Sequence, residues 1–235
     1  MKYNFVYDTE ALESMNNFLS ADELKIVLAT VIGKHNAIFY GYKPERLIKA
    51  IKRLSNETMF VEQNTFSDIE DGLCNSIDGI MYLKDFDVWK VAEQQFLYGH
   101  TLNDSSRTTQ FIANVSITPS ACVIPDVLNN FDIVYKCTNS LQTPMSNETI
   151  KQKLNAGIWF RRKLRSGQYT TSTELRVERF WMDSDVYSNV ERLSEENNPV
   201  YAKKIALVAR SLSDIEQSTY TEMKQLHEAE TFYEE

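Results

Sequence analysis

The 235-residue chain is 43% apolar, ample for a core, and carries a net charge of -8. With a sequence pI near 5.1, that balance excludes general attraction to nucleic acid or anionic lipid as the basis of its function. No run of about twenty apolar residues could span a membrane, and the opening MKYNFVYDTE lacks the pattern of a secretion signal, so a cytoplasmic protein is expected. Cys74, Cys122 and Cys137 form no CxxC pair, which favours buried free thiols over a disulfide framework or a zinc site.

In chain order, the aromatic stretch 2–8 predicts a strand or extended arm. Ser20 is a plausible N-cap for ADELKIVLATVIGK, a helix stopped at Gly33-Lys34. Ala37 to Tyr40 predicts a buried strand, and the spacing of Leu47, Ile48, Ala50, Ile51 and Leu54 predicts an amphipathic helix from about Pro44. A short strand at 60–62 precedes a polar turn region. Buried strands follow at 80–83, 110–117 and 131–136, with a helix at about 88–98 and a helical turn at 125–130. Strands alternating with helices predict a mostly parallel, three-layer α/β sheet with ligands at the carboxyl ends of its strands. Beyond the polar linker at 138–144 the pattern becomes helical, starting with a long helix from Ser146 to about Arg165. This places a boundary near residue 143, dividing an α/β core (1–143) from a small helical domain (144–235).

The stretch HNAIFYGYKPERLIKAIKRL sets strand, turn and helix where a phosphate-binding loop would lie. Such a loop needs small residues, then lysine and a hydroxyl. Only Gly41 of that pattern is present; Leu47 and Ile48 occupy the lysine and hydroxyl places.

In that order of elements the chain resembles the AAA+ ATPases of the magnesium-chelatase ATPase subunit and their ComM (YifB)-like relatives. HNAIFYGYKPERLIKAIKRL is similar to the family's Walker A strand, loop and helix, and IDGIMYLKDFD to its Walker B strand. FIANVSITP is similar to the sensor-1 strand, and DVLNNFDIVY to the segment after it. YAKKIALVARSLSDIEQS and LHEAETFY follow the lid helices. The resemblance implies a three-layer AAA+ (P-loop NTPase-like) core followed by a helical lid. It also implies that the nucleotide-site positions are degenerate. Lys84 stands for the magnesium-holding Asp, with Asp85 in place of the following Glu. Thr118 stands for the sensor-1 Asn, Asn129 and Asn130 for the Asp-Arg before Phe131, and Val200 for the lid's sensor-2 arginine.

A hydrolytic site needs cations on the phosphates, a carboxylate for magnesium and an acid to polarise water. With those positions altered, no catalytic residue is expected, no metal, and no cofactor beyond weak binding of ATP or ADP. The expected role is a binding, scaffolding or regulatory subunit, acting through a protein partner or self-assembly. One alternative is an ATPase with relocated groups, using Lys43 or Arg46 for phosphate and Asp85 for metal. Another is a nucleic-acid-associated module using Arg161, Arg162, Lys163 and Arg165, the densest basic cluster and also the candidate partner contacts. The plainer expectations are a solvated helix face for Lys43, Arg46 and Lys49, a local ion pair of Lys84 with Asp85 and Asp87, and a packing role for His35. The residue pattern supports no Ser/His/Asp or Cys/His nucleophile set.

Overall fold

In the computed structural model, which describes residues 19–55, 60–76, 79–99, 109–139 and 182–233 with residues 149, 152–153 and 155–157, the first element is α1 (Ala21–Gly33). Its start is fixed by a reciprocal cap: Ser20 Oγ accepts from the Glu23 amide at 3.2 Å, and the Ser20 amide donates to Glu23 Oε2 at 3.0 Å. Left-handed Lys34 (φ 52°) ends it. Leu24 and every residue from Ile26 to Gly33 are buried, so α1 is an internal helix, packed between α2 and the C-terminal helices.

Five strands follow: β1 (Ala37–Gly41), β2 (Phe60–Gln63), β3 (Ile80–Leu83), β4 (Gln110–Asn114) and β5 (Ile133–Cys137). They form one parallel sheet in the order β2-β3-β4-β1-β5. Helices α2 (Glu45–Leu54), α3 (Ile69–Asn75), α4 (Val91–Leu97) and α5 (Pro125–Leu128) lie between them in sequence. β3 and β4 are buried throughout and β1 from Ala37 to Tyr40, and their segments AIFY, IMYL and FIA read as apolar runs because both faces are covered. Phe39, Phe86, Phe111 and Phe131 fill the centre of the core. The expected three-layer α/β fold is present.

The C-terminal part holds α6 (Ser184–Glu196), α7 (Pro199–Ile215) and α8 (Met223–Glu230), helical as its sequence predicts. The chain then returns to the sheet: the Val134 amide donates to Phe232 O at 3.0 Å, and Tyr233 forms a parallel bridge with Val134. One apolar cluster runs from α1 through the sheet to α6, α7 and α8.

Several boundaries differ from expectation. The strand read over 110–117 stops at Asn114, whose polar side chain turns to the adjacent loop. The region after β2, read as a polar turn, contains α3; at seven residues it is too short for apolar spacing to reveal it. The helix read from Val88 starts at Val91, after a tight turn at Phe86–Val88. The arm at 2–8, the boundary near 143, most of the helix from Ser146 and the basic cluster Arg161, Arg162, Lys163 and Arg165 lie outside the described residues. Among the described residues no helix is long and apolar enough to cross a membrane.

Candidate functional site

Parallel strands bring all their carboxyl ends to one edge, and there the loops after β1, β3 and β4 lie side by side. The β1 loop opens with Gly41 at φ +88°, where a Cβ would stand 2.7 Å from Cys137 O. The Tyr42 amide then donates to Cys137 O at 2.9 Å, which ties the loop to β5. The Arg46 amide donates to Lys43 O at 3.2 Å and the Leu47 amide to Pro44 O at 3.0 Å. Pro44 has no amide to offer. Much of the backbone that would cradle a phosphate is therefore engaged within the chain.

The side chains close the same space. Leu47 and Ile48, which the resemblance would set in the lysine and hydroxyl places, are core residues at 0% and 4% exposure. The solvated face expected for Arg46 is not what the structure shows: the residue is half-buried, its Nη2 donates to Glu23 Oε1 at 2.7 Å, and Glu23 is buried beneath it. Lys43 and Arg46 lie 5.2 and 5.5 Å from the ring centre of Tyr42, which covers the turn.

At the end of β3, Lys84 pairs with Glu62 at 3.6 Å rather than with its neighbours Asp85 and Asp87, because its amide continues the ladder to Gln63 O and sets the side chain beside β2. Asp85 is left-handed (φ 47°), and Asn114 holds it twice. The Asp85 amide donates to Asn114 Oδ1 at 2.9 Å, and Asn114 Nδ2 donates to Asp85 Oδ1 at 2.9 Å. The Tyr82 hydroxyl also donates to Asn114 Oδ1, at 2.7 Å. Burial, then the charges of Asp85, Glu45 and Glu62, raise the Tyr82 hydroxyl well above the ordinary tyrosine range. Asp87 accepts from the Ser116 hydroxyl. Carboxylates (Glu62, Asp85, Asp87) and cations (Lys43, Arg46, Lys84) thus share this edge. Sequence reasoning missed Asn114; the signal was its place as the last residue of an apolar run.

The other named positions are dispersed. Thr118 is exposed at the start of a tight turn after β4. Asn130 lies before β5, at the amino edge of the sheet, where its carbonyl accepts from Asn36 Nδ2 at 3.0 Å. Val200 is exposed near the start of α7. The structure gathers Gly41, Lys43, Arg46, Leu47, Ile48, Lys84 and Asp85 at the carboxyl edge and leaves Asn130 at the opposite one.

The amino edge holds a second polar cluster. His35, wholly buried, has Nδ1 at 3.0 Å from Asp132 Oδ2 and Nε2 at 2.8 Å from Ser211 Oγ. This is a Ser-His-Asp arrangement that the sequence pattern did not suggest, since its members are far apart in the chain. Ser211 has no exposed surface, so the arrangement joins α7 to the sheet and presents no nucleophile to solvent. Among the described residues no group of three or more His, Cys, Asp or Glu side chains could hold a metal ion.

No protein-family model matches the chain, and no curated protein does. Among solved structures it is similar to a full-length MCM homolog from Methanopyrus kandleri, with a TM-score of 0.51 and 13% sequence identity. The likeness covers 98% of this chain and 64% of that one, so the chain spans less than two thirds of that protein. That neighbour is a member of the AAA+ superfamily. The chain has an AAA+-like fold. At such identity the likeness concerns the fold alone.

Proposed function

We propose that this chain is a catalytically degenerate AAA+ protein of the magnesium-chelatase-like type, acting as a binding, scaffolding or regulatory subunit without ATP turnover. The observation that carries the reading is the state of the β1–α2 loop. Its phosphate-facing positions are core residues, Leu47 and Ile48, and its cation Arg46 is neutralised by buried Glu23. The reading with relocated site residues is disfavoured by the same geometry. Arg46 is engaged by Glu23, Lys43 stacks on Tyr42, and Asp85 is held by Asn114.

A protein partner or a second copy is the more natural ligand for this edge. Tyr42, Val88 and Ile117 expose large apolar side chains on the adjacent loops after β1, β3 and β4, and Val91 does so at the start of α4. Such grouping favours contact with another apolar surface over a small charged ligand. Phosphate release from ATP with magnesium tests the reading. The purified chain is expected to release phosphate no faster than its Asp85→Asn variant. Saturable, magnesium-dependent release that the variant lacks would overturn it.

A further inference from the structure

Oxygen atoms of the β1–α2 loop converge on a cation. Arg46 Nε donates to Lys43 O at 3.2 Å, and Nη2 reaches Glu23 Oε1 at 2.7 Å, Tyr42 O at 3.3 Å and Thr138 O at 3.4 Å. Three carbonyls and a carboxylate, contributed by α1, the loop and the segment after β5, thus face one guanidinium. A phosphate-binding loop has the opposite polarity, with its amides turned inward on an anion. Here the Tyr42, Arg46 and Leu47 amides are spent on Cys137 O, Lys43 O and Pro44 O.

The carboxylate is also fixed independently of the arginine. Glu23 is 2% exposed, and its second oxygen accepts from the Ser20 amide at 3.0 Å as part of the α1 cap. A buried acid held in this way requires a counter-charge. A planar fork of donors satisfies a carboxylate and divergent carbonyls together, which a lysine ammonium on its flexible stem does less well.

We infer that the β1–α2 loop is a guanidinium site whose resident ligand is the chain's own Arg46. This deepens the functional reading above and rests on it: a loop ordered by an internal cation folds without nucleotide, and its inward face selects cations over phosphates.

Chemical rescue of Arg46→Ala in the full chain tests the inference. Thermal melts are run with guanidinium chloride at about 20 mM, far below denaturing concentrations, and with sodium chloride or pyrophosphate at matched ionic strength. Arg46→Ala is expected to lower Tm by roughly 2–4 °C or more. Guanidinium should restore part of that loss, sodium chloride and pyrophosphate none of it, and the wild-type chain should gain nothing from guanidinium. Rescue by pyrophosphate in place of guanidinium would overturn the inference, as would no rescue at all. If Arg46→Ala does not fold, Arg46→Lys and Glu23→Gln decide. Both should melt below the wild-type chain, and a wild-type Tm for either contradicts the site. Nucleotide binding to the wild-type chain is read separately. Failed rescue without nucleotide binding removes only this inference, whereas rescue together with tight ATP binding removes the proposed function.

Discussion

Nε2 of His35 lies 2.8 Å from Oγ of Ser211, so a fully buried imidazole just before β1 joins the sheet to α7. Asp132 Oδ2 lies 3.0 Å from Nδ1 on the other side of the ring, so the imidazole is held at both nitrogens. Gly33 makes room for this contact, because a Cβ there would stand 2.3 Å from His35 Nε2 and 2.5 Å from Ser211 Oγ.

Ser211→Ala should therefore cost about 1–3 kcal/mol by removing the buried hydrogen bond between the ring and the hydroxyl. Gly33→Ala should cost a comparable amount, about 1–3 kcal/mol, by overpacking. Urea unfolding of each variant measures both. An unchanged midpoint for Ser211→Ala would show that the junction carries no stability.

Gly41→Ala places a side chain at φ +88° and against Cys137 O. Strain of this kind costs on the order of 1–3 kcal/mol. The same unfolding experiment should show the loss; wild-type stability would mean that the loop shifts at no cost.

A lysine placed at position 47 should not create a phosphate site. Leu47→Lys puts an ammonium into a site with 0% exposure. An unpaired buried charge of this kind costs on the order of 3–5 kcal/mol. The expected outcome is a destabilised protein that still binds no ATP, read by melting with and without magnesium ATP. Nucleotide-dependent stabilisation of Leu47→Lys would show that the phosphate space is open.

Asn114 satisfies the Tyr82 hydroxyl and both the amide and the carboxylate of Asp85. Asn114→Ala should cost about 1–3 kcal/mol, whereas Ser116→Ala, on the exposed rim, should cost less. Equal midpoints for the two variants would contradict the assignment.

Burial, with Glu23 adding to it, pushes the Cys137 thiol up to about 12, and burial, then Asp87, pushes Cys122 up to about 11. A folded-state pKa above the unfolded value means that the folded protein keeps protons the unfolded chain releases. This contribution is complete below the unfolded thiol value of about 8.5 and is lost as pH rises beyond it. The unfolding midpoint should fall between pH 8 and pH 10. At pH 8 a disulfide reagent should label Cys137 only as fast as the protein unfolds; rapid labelling of the folded chain would contradict its protected state.

Much of the fold was legible in the sequence because its strands are buried on both faces. AIFY and IMYL read as apolar runs, and the Ser20 cap and the Gly33-Lys34 stop bracket α1. The strand, turn and helix around Gly41 were legible too, as was the apolar face that buries Leu47 and Ile48. The contacts of the polar side chains were not. The partner of Arg46 lies in α1, and Ser211 and His35 stand 176 positions apart, so no spacing rule connects either pair. Lys84 was assigned to its sequence neighbours because sheet order, which sets it beside Glu62 on β2, is invisible in a linear pattern.

The measurement that bears most directly on the account is equilibrium binding of ATP and ADP, with and without magnesium, to the full chain by calorimetry. Millimolar nucleotide should produce no binding heat and no change in Tm. A ligand present at a hundred times its dissociation constant would add about 2.7 kcal/mol, so a binding site would be plain in either readout. Tight, magnesium-dependent binding of ATP that Asp85→Ala abolishes would contradict the account and return the chain to the ATPases.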